Sequence, residues 1–521
     1  MTDTSYEELP YVKYAFSQTH PNHIAAIGQL FGMRPCPPSQ SRILELGCAH
    51  GSNIAPMAVA LPSAEFVGVD LSASQIREGK ATLKAAGVAN VTLKQADIME
   101  IDADWGKFDY IIAHGLHSWI PVEVQAKLMQ ICSANLAPDG IAYISYNCNP
   151  GWKTRSMVRD MILFHTAGVK SALDKVRHAR GLLDYLAAGT TQNTPYAAVL
   201  KREAEAIRKG DDSYIYHEFL EANNHPMYFY EMMAKAQSQG LMYLAESPIR
   251  SMFDTDFDAN TVATLNQLGS GNILNVEQYM DFLRNRVFRQ TLFVHRNLKL
   301  SRNLDWHNLA PVRIQFRQEI TAAEHDITSH DRVEYTELST NIKFAVTEPL
   351  IKAALQILRE NAPQCVSFTE LVDRARGMAK QEHPHTQAEE MIATHIFRLL
   401  SMGLADLAAE PWRCAAEVPD RPKASALARH QAQLRDPIVT LRHQHTDRNP
   451  NILWYLLQLL DGQHTLDELA TELANEASTG RFQLKRDGQV ITAPSRLLEL
   501  VRADLPMHLE HLRQMALLLA A

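Results

Sequence analysis

The sequence predicts an α/β protein: a parallel sheet wrapped by helices in the first third of the chain, followed by a longer, mainly helical remainder. Three observations carry this. Short β-rich runs alternate with helical patterns through the first 150 residues, the order of a parallel sheet with crossover helices. A glycine-rich turn, Glu45-Leu-Gly-Cys-Ala-His-Gly51, follows the first run, and Asp70 and Asp97 close the second and third. Apolar residues make up 46% and charged residues 21% of the chain, the balance of an ordinary globular protein, which excludes collagen, low complexity and large-scale disorder.

The elements follow in order. Arg42-Ile-Leu-Glu-Leu46 reads as a buried strand and Phe66-Val-Gly-Val-Asp70 as the second. Ser72 to Ala86 reads as a helix, with Ile76 and Leu83 on one face and Gly87 as its stop. Val91–Asp97 and Phe108–Ala113 are strands three and four. A helix begins at Pro121, and Pro138-Asp-Gly140 turns the chain into a fifth strand, Ile141–Ser145. Two further strands are expected far downstream, Gly240–Glu246 and Arg289–His295, leaving the intervening stretch as a helical insertion. Its aromatic run, Tyr214–Phe219 through Tyr228-Phe-Tyr230, reads first as a packed helix pair and second as a lid over a substrate.

From about Leu309 the pattern changes. Helices open at Pro349, Ser367 and Glu389, and Leu404–Leu407 follows, together a winged-helix-like unit. Its loops show no basic stripe, so protein contact is favoured over DNA. Pro411–Pro422 reads as a linker, Thr465-Leu-Asp-Glu468 as a capping box, and Leu505–Ala521 as an apolar docking helix. The expected division is 1–38 N-terminal helical segment, 39–151 sheet core, 152–239 helical insertion or lid, and 240–305 last strands and regulatory segment. It continues with 306–415 winged-helix-like domain and 423–521 helical domain. The 521 residues suit several units at ~150 residues per domain.

Fifty-one basic against fifty-nine acidic residues give −8, which argues against a broad nucleic-acid-binding face. Six scattered cysteines without a C-x-x-C pair read as reduced thiols. No apolar run approaches the ~20 residues of a membrane span, and Met1–Glu8 lacks the marks of a signal peptide. A cytoplasmic location is the expectation. The pairs His383/His385, His443/His445 and His508/His511 lack further ligands at defined spacing, so no metal is expected.

The chemistry belongs at the carboxyl ends of the strands, where open α/β sheets bind ligands. Gly47 and Gly51 let the backbone approach a ligand, Asp70 is placed to accept ribose hydroxyls, and Asp97 can reach an adenine amino group. A dinucleotide would need G-x-G-x-x-G, and its pyrophosphate would be repelled by Glu45. The ammonium and sulfonium of S-adenosylmethionine tolerate that carboxylate.

Glu45–Gly51, Val69-Asp70, Ala96-Asp97 and Leu136–Gly140 resemble class I S-adenosylmethionine-dependent methyltransferases. Gln18-Thr-His-Pro21, His114–Trp119 and Ser145–Trp152 narrow the resemblance to bacterial methyltransferases with a methyltransferase regulatory domain, among them the rickettsial protein-lysine methyltransferases. His117 and Asn149 depart from the common pattern. The resemblance implies a Rossmann-like sheet with Glu45, Gly47, Gly51, Asp70, Leu71, Asp97, Ile98 and His114 at S-adenosylmethionine, and S-adenosylhomocysteine as product. It further implies methyl transfer to lysines of a protein, including a cell-envelope protein, and a homodimer. Trp119, Asn147 and Trp152 are then the substrate residues, and His20, His117 and Tyr146 the catalytic ones, the histidines relaying a departing proton. A small-molecule methyltransferase and a non-catalytic S-adenosylmethionine sensor are the alternatives. A nucleic-acid enzyme is disfavoured, because Ala113-His-Gly-Leu116 lacks the polar-Pro-Pro-aromatic string of amino-methylating ones.

Overall fold

The computed structural model describes Leu9 and residues 13–190, 193–317, 319–380, 383–446, 452–486 and 489–520. Met1–Glu8, and with it the start of the N-terminal segment, lies outside the described residues.

Alternation along buried strands sets the architecture. On β1 (Arg42–Leu46), Ile43 enters one apolar cluster and Leu44 and Leu46 the opposite one. On β4 (Phe108–Ala113), Tyr110 and Ile112 join the first cluster, Ile111 and Ala113 the second. A strand buried on both faces demands helices on both faces. One face is covered by α1 (Pro21–Leu30), α2 (Ile54–Ala60) and α3 (Ala73–Ala85), the other by α4 (Val122–Ala134) and, after the insertion, α9 (Phe229–Ser238).

The sheet has seven strands in the order β3-β2-β1-β4-β5-β7-β6. The first five, completed by β2 (Glu65–Asp70), β3 (Val91–Gln95) and β5 (Leu136–Asn147), are parallel; β7 (Phe288–His295) runs antiparallel between β5 and β6 (Leu241–Glu246). Both downstream strands expected from sequence are therefore present, and the insertion returns the chain to the sheet. Pro138-Asp-Gly140 was expected as a turn, but it lies inside β5. The register shifts between Phe108 and Tyr110, and this irregularity absorbs the extra residues without ending the strand.

The insertion contains α5 (Gly151–Thr166), α6 (Ala172–Gly189), α7 (Pro195–Lys209) and α8 (Asp212–Phe219) around their own apolar cluster. Tyr216, Phe219 and Phe229 are buried in it or beside it, which supports the packing reading of the aromatic run. Between β6 and β7 the chain forms α10 (Ala259–Gly269) and α11 (Ile273–Arg284), and α11 joins the two strands in a buried ion cluster. Arg289 lies within 2.7–2.9 Å of carboxylates of Glu246, Glu277 and Asp281.

Beyond β7, the chain forms α12 (Trp306–Leu309) and small sheets from β8 (Arg313–Phe316), β9 (Ile320–Ala322), β10 (Val333–Glu337) and β11 (Lys343–Val346). Then α13 (Pro349–Asn361), β12 (Val366–Ser367), α14 (Phe368–Ala379), α15 (His385–Met402) and β13 (Ala405–Ala408) give a helix–strand–helix–helix–strand order with β8 as the central strand. Pro411–Pro422 is no free linker. Trp412 and Cys414 are buried, and the Trp412 indole N–H donates to Gln315. The last unit holds α16 (Ala426–Leu434), α17 (Ile452–Leu459), α18 (Leu466–Ser478) and α19 (Pro494–Gln514) around a separate core, with the Thr465/Glu468 capping box formed. Its final helix stops at Gln514, earlier than expected, because Leu518 and Leu519 bridge back to Ala424 and Cys414.

Candidate active site

The turn after β1 is shaped by backbone demands. Gly47 and Gly51 have φ of +73° and +75°, which L side chains rarely adopt, and a Cβ on Gly47 would meet Leu116 at 3.1 Å. The N–H groups of Gly47 and Cys48 both donate to the Val69 carbonyl, and that of Ala49 to the Asp70 carboxylate at 2.8 Å. The other Asp70 oxygen accepts from Ser72 N–H, the N-cap of α3, at 2.9 Å. Asp70 thus fixes the turn to the end of β2. Leu71, next in the chain, is 54% exposed. Asp97 is also exposed, with one oxygen on Met99 N–H, and Ile98 is half-buried beside it.

Glu45 is buried under the turn. One carboxyl oxygen accepts from the Asn53 amide at 2.6 Å; the other is buried with no partner among the described residues. Burial pushes its pKa up to about 8, against the lowering effect of Asn53, and Asp70 raises it further. Such a carboxyl, half satisfied, has one oxygen left to accept from a cationic donor.

His114 closes β4. Its Nδ1 lies 2.8 Å from the Tyr143 hydroxyl, Phe16 packs on its ring at 3.8 Å, and burial brings its pKa down to about 3. Gly115 N–H donates to Ser145 and Asn147 N–H to Ser118, tying the β4 loop to β5. Tyr146 is buried, with its ring 6.2 Å from that of His117 and its hydroxyl 3.4 Å from Thr291. Both His117 ring nitrogens are buried without partners among the described residues, and burial lowers its pKa to about 3. Trp119 and Trp152 meet edge to face at 6.0 Å. The insertion reaches this end through residues 222–227: Asn224 accepts from the Asn147 amide, and Asn149 N–H donates to the Met227 carbonyl.

His20 stands behind the glycine turn, next in the chain to Thr19, whose hydroxyl accepts from the Asn53 amide. Its Nδ1 accepts from Asn22 N–H as the N-cap of α1, and its ring packs on Trp412 and His443. Its pKa is also lowered to about 3 by burial. Both imidazoles expected to relay a proton, His20 and His117, are therefore buried rings whose pKa burial lowers to about 3. Sequence reading passed over Phe16, Asn53, Tyr143 and Ser145. Only the distance of Asn53 from Glu45, eight residues across the turn, hinted at a role.

Family comparisons follow this geometry. Residues 43–140 match a methyltransferase domain, 211–295 a predicted methyltransferase regulatory domain, and 420–517 the C-terminal winged-helix domain of PKMT. The last lies one unit further along the chain than the segment read from sequence as winged-helix-like. An uncharacterized protein of Rickettsia prowazekii is 33% identical over 492 residues, covering 93% of this chain and 88% of that protein. A second, shorter one from the same organism is 40% identical over 236 residues, 45% of this chain and 94% of its own length. PKMT2 from Rickettsia typhi, solved in complex with AdoHcy, superposes with a TM-score of 0.88 at 31% identity, over 98% of this chain and all of that one. This chain belongs to the PKMT family of methyltransferases. As a family member it is an S-adenosylmethionine-dependent methyltransferase, and its residues fit the cofactor. The Glu45 oxygen without a partner among the described residues suits an ammonium, and the positive φ of Gly47 and Gly51 gives the tight turn that brings backbone to the end of β1. No helix among the described residues is long and apolar enough to cross a membrane. Among them no group of three His, Cys, Asp or Glu side chains is placed to hold a metal ion.

Proposed function

We propose that this methyltransferase acts on lysine side chains of a protein, a cell-envelope protein among the candidates. The observation that carries the reading is the full-length likeness to PKMT2, which includes the insertion and C-terminal units as well as the sheet. In this reading Glu45, Gly47, Gly51, Asp70, Leu71, Ile98 and His114 hold S-adenosylmethionine, which supplies an electrophilic methyl group on its sulfonium. Asp97 supports the adenine loop as a cap.

A lysine ammonium with pKa ~10.4 is ~3.4 units too protonated at pH 7, equivalent to ~4.6 kcal/mol. Desolvation lowers that barrier. Trp119 and Trp152 form the apolar wall that excludes water and faces the lysine stem. His117, neutral and with both nitrogens without partners among the described residues, accepts a hydrogen bond from the amine N–H, which leaves the amine lone pair free and turned toward the methyl group. Tyr146 packs against His117 and fixes its ring, while Asn147 and Asn149 anchor the insertion loop that closes the mouth. The proton leaves to solvent before the pocket closes.

The test is methyl transfer from radiolabelled S-adenosylmethionine into a lysate of the source organism with its envelope fraction. Label in a protein band that hydrolyses to methyl-lysine supports the reading. Label confined to acid-soluble material assigns a small-molecule substrate instead.

A further inference from the structure

The cofactor turn is not built by the sheet domain alone. Asn53, at the entrance of α2, is a meeting point for three distant parts of the chain. Its amide nitrogen donates to Glu45 at 2.6 Å and to the Thr19 hydroxyl at 3.1 Å. Its oxygen accepts from Phe16 N–H at 2.9 Å and faces the Nε2 of His443 at 2.9 Å. An amide oxygen is an acceptor only, so His443 carries its proton on Nε2 and donates. Burial holds that ring neutral, well below its ordinary pKa, and it is 1% exposed.

We propose that His443, supplied by the C-terminal winged-helix unit, is a positioning residue of the cofactor site. It donates to the Asn53 oxygen beside the Phe16 N–H, and the two donors together fix which way the amide is turned, so that the amide nitrogen faces Glu45. The Glu45 oxygen on the far side is then held toward the cofactor ammonium. Without the His443 donor, the amide oxygen is still held by the Phe16 N–H, but the amide that aims Glu45 is less firmly fixed.

The surroundings support a clamp at this point. The loop carrying His443 also holds His445, whose Nε2 accepts from Ala15 N–H at 2.7 Å, and Asp436, which pairs with Lys13 at 3.0 Å. Lys13 reaches Glu78 of α3 as well, at 2.9 Å. Residues 13–16 are therefore strapped between the glycine turn and the C-terminal unit, and a cleft is lined jointly by Tyr14, His50, Gly51, Asp436 and His445. The C-terminal unit thereby completes the cofactor site from outside the sheet.

The proposal rests on the reading that Glu45 faces the cofactor, and the experiment separates the two. Binding of S-adenosylhomocysteine to the full chain is measured by calorimetry at pH 8 for the native protein, His443→Phe, His443→Gln and Glu45→Gln. Phenylalanine keeps the ring volume without the donor; glutamine places an amide N–H where imidazole Nε2 stands. The phenylalanine variant is expected to bind about tenfold more weakly, the worth of one hydrogen bond, and the glutamine variant to recover native affinity within about threefold. Should the phenylalanine variant fail to fold, His443→Met removes the same donor and takes its place. Native affinity in the donorless variant, or a glutamine variant as weak as it, overturns the proposal. Native affinity in Glu45→Gln overturns the reading beneath it; a weakened Glu45→Gln beside an unaffected His443→Phe overturns the proposal alone.

Discussion

In the proposed site, the Glu45 carboxyl, raised from its ordinary value of 4.5 to about 8, is expected to make cofactor binding a proton-linked event. A carboxyl raised in the folded state binds more protons folded than unfolded across that window. Its contribution to stability therefore falls as pH rises from 4.5 to 8 and is constant beyond. A bound ammonium reverses the preference by favouring the carboxylate. Affinity for S-adenosylhomocysteine is expected to climb between pH 6 and about 8, with proton release below pH 8. Calorimetry in buffers of different ionisation enthalpy reads both, and Glu45→Gln should release no such proton. An affinity in the native protein that ignores pH would show the carboxyl is already ionised. His20 gives a second residue-scale expectation. As the N-cap of α1 it should cost ~1 kcal/mol when changed to alanine, whereas His20→Asn, keeping an acceptor near Nδ1, should recover most of that in a urea titration. Equal loss in both variants would place its worth in ring packing on Trp412 and His443.

Elements are held by contacts that propensity does not foresee. Gly79 lies inside α3, where alanine ordinarily gains ~1 kcal/mol. Here a Cβ would stand 2.5 Å from the His50 carbonyl oxygen and 2.6 Å from Leu93, so the helix could not keep its distance from the glycine turn. Gly79→Ala is expected to lower stability by about 2–3 kcal/mol, the overpacking range, and to weaken cofactor binding by displacing the turn. A stabilised variant would mean that α3 moves freely. The last two strands depend instead on charge. Arg289 of β7 bonds Glu246 of β6 and Glu277 and Asp281 of α11, and Arg286 adds a 2.8 Å pair with Asp281. Replacing Arg289 by methionine leaves three buried carboxylates against one guanidinium, an expected loss of about 3–5 kcal/mol in thermal or chemical unfolding. Burial already holds the Glu277 and Asp281 pKa values up, so acid should rescue part of that loss by protonating them.

At the scale of the molecule, the cores do not follow the domain boundaries expected from sequence. One apolar cluster runs from Ile24 on α1 through the sheet to α13–α15, so residues 306–410 share a core with the sheet. The last unit packs around its own cluster, from Ala415 to Leu518. Scanning calorimetry is expected to show the sheet and the 306–410 unit melting together, with the C-terminal unit separable and shifted upward by S-adenosylhomocysteine through its His443 tie. Separate melting of 306–410 would contradict the shared core. By itself the sequence determined what local periodicity and backbone chemistry specify: every strand of the large sheet, the glycine turn, Asp70 at the end of β2, the capping box of α18, and the cofactor class. Such features recur within a few residues, where alternation and turn chemistry act directly. It could not place His20 against Trp412, merge two units into one core, turn Pro411–Pro422 into a packed segment, or bring His443 to Asn53 across 390 residues. Those contacts join segments with no shared pattern, and the free energy that selects them comes from burial and hydrogen bonding in the assembled chain. Tertiary structure alone decided them.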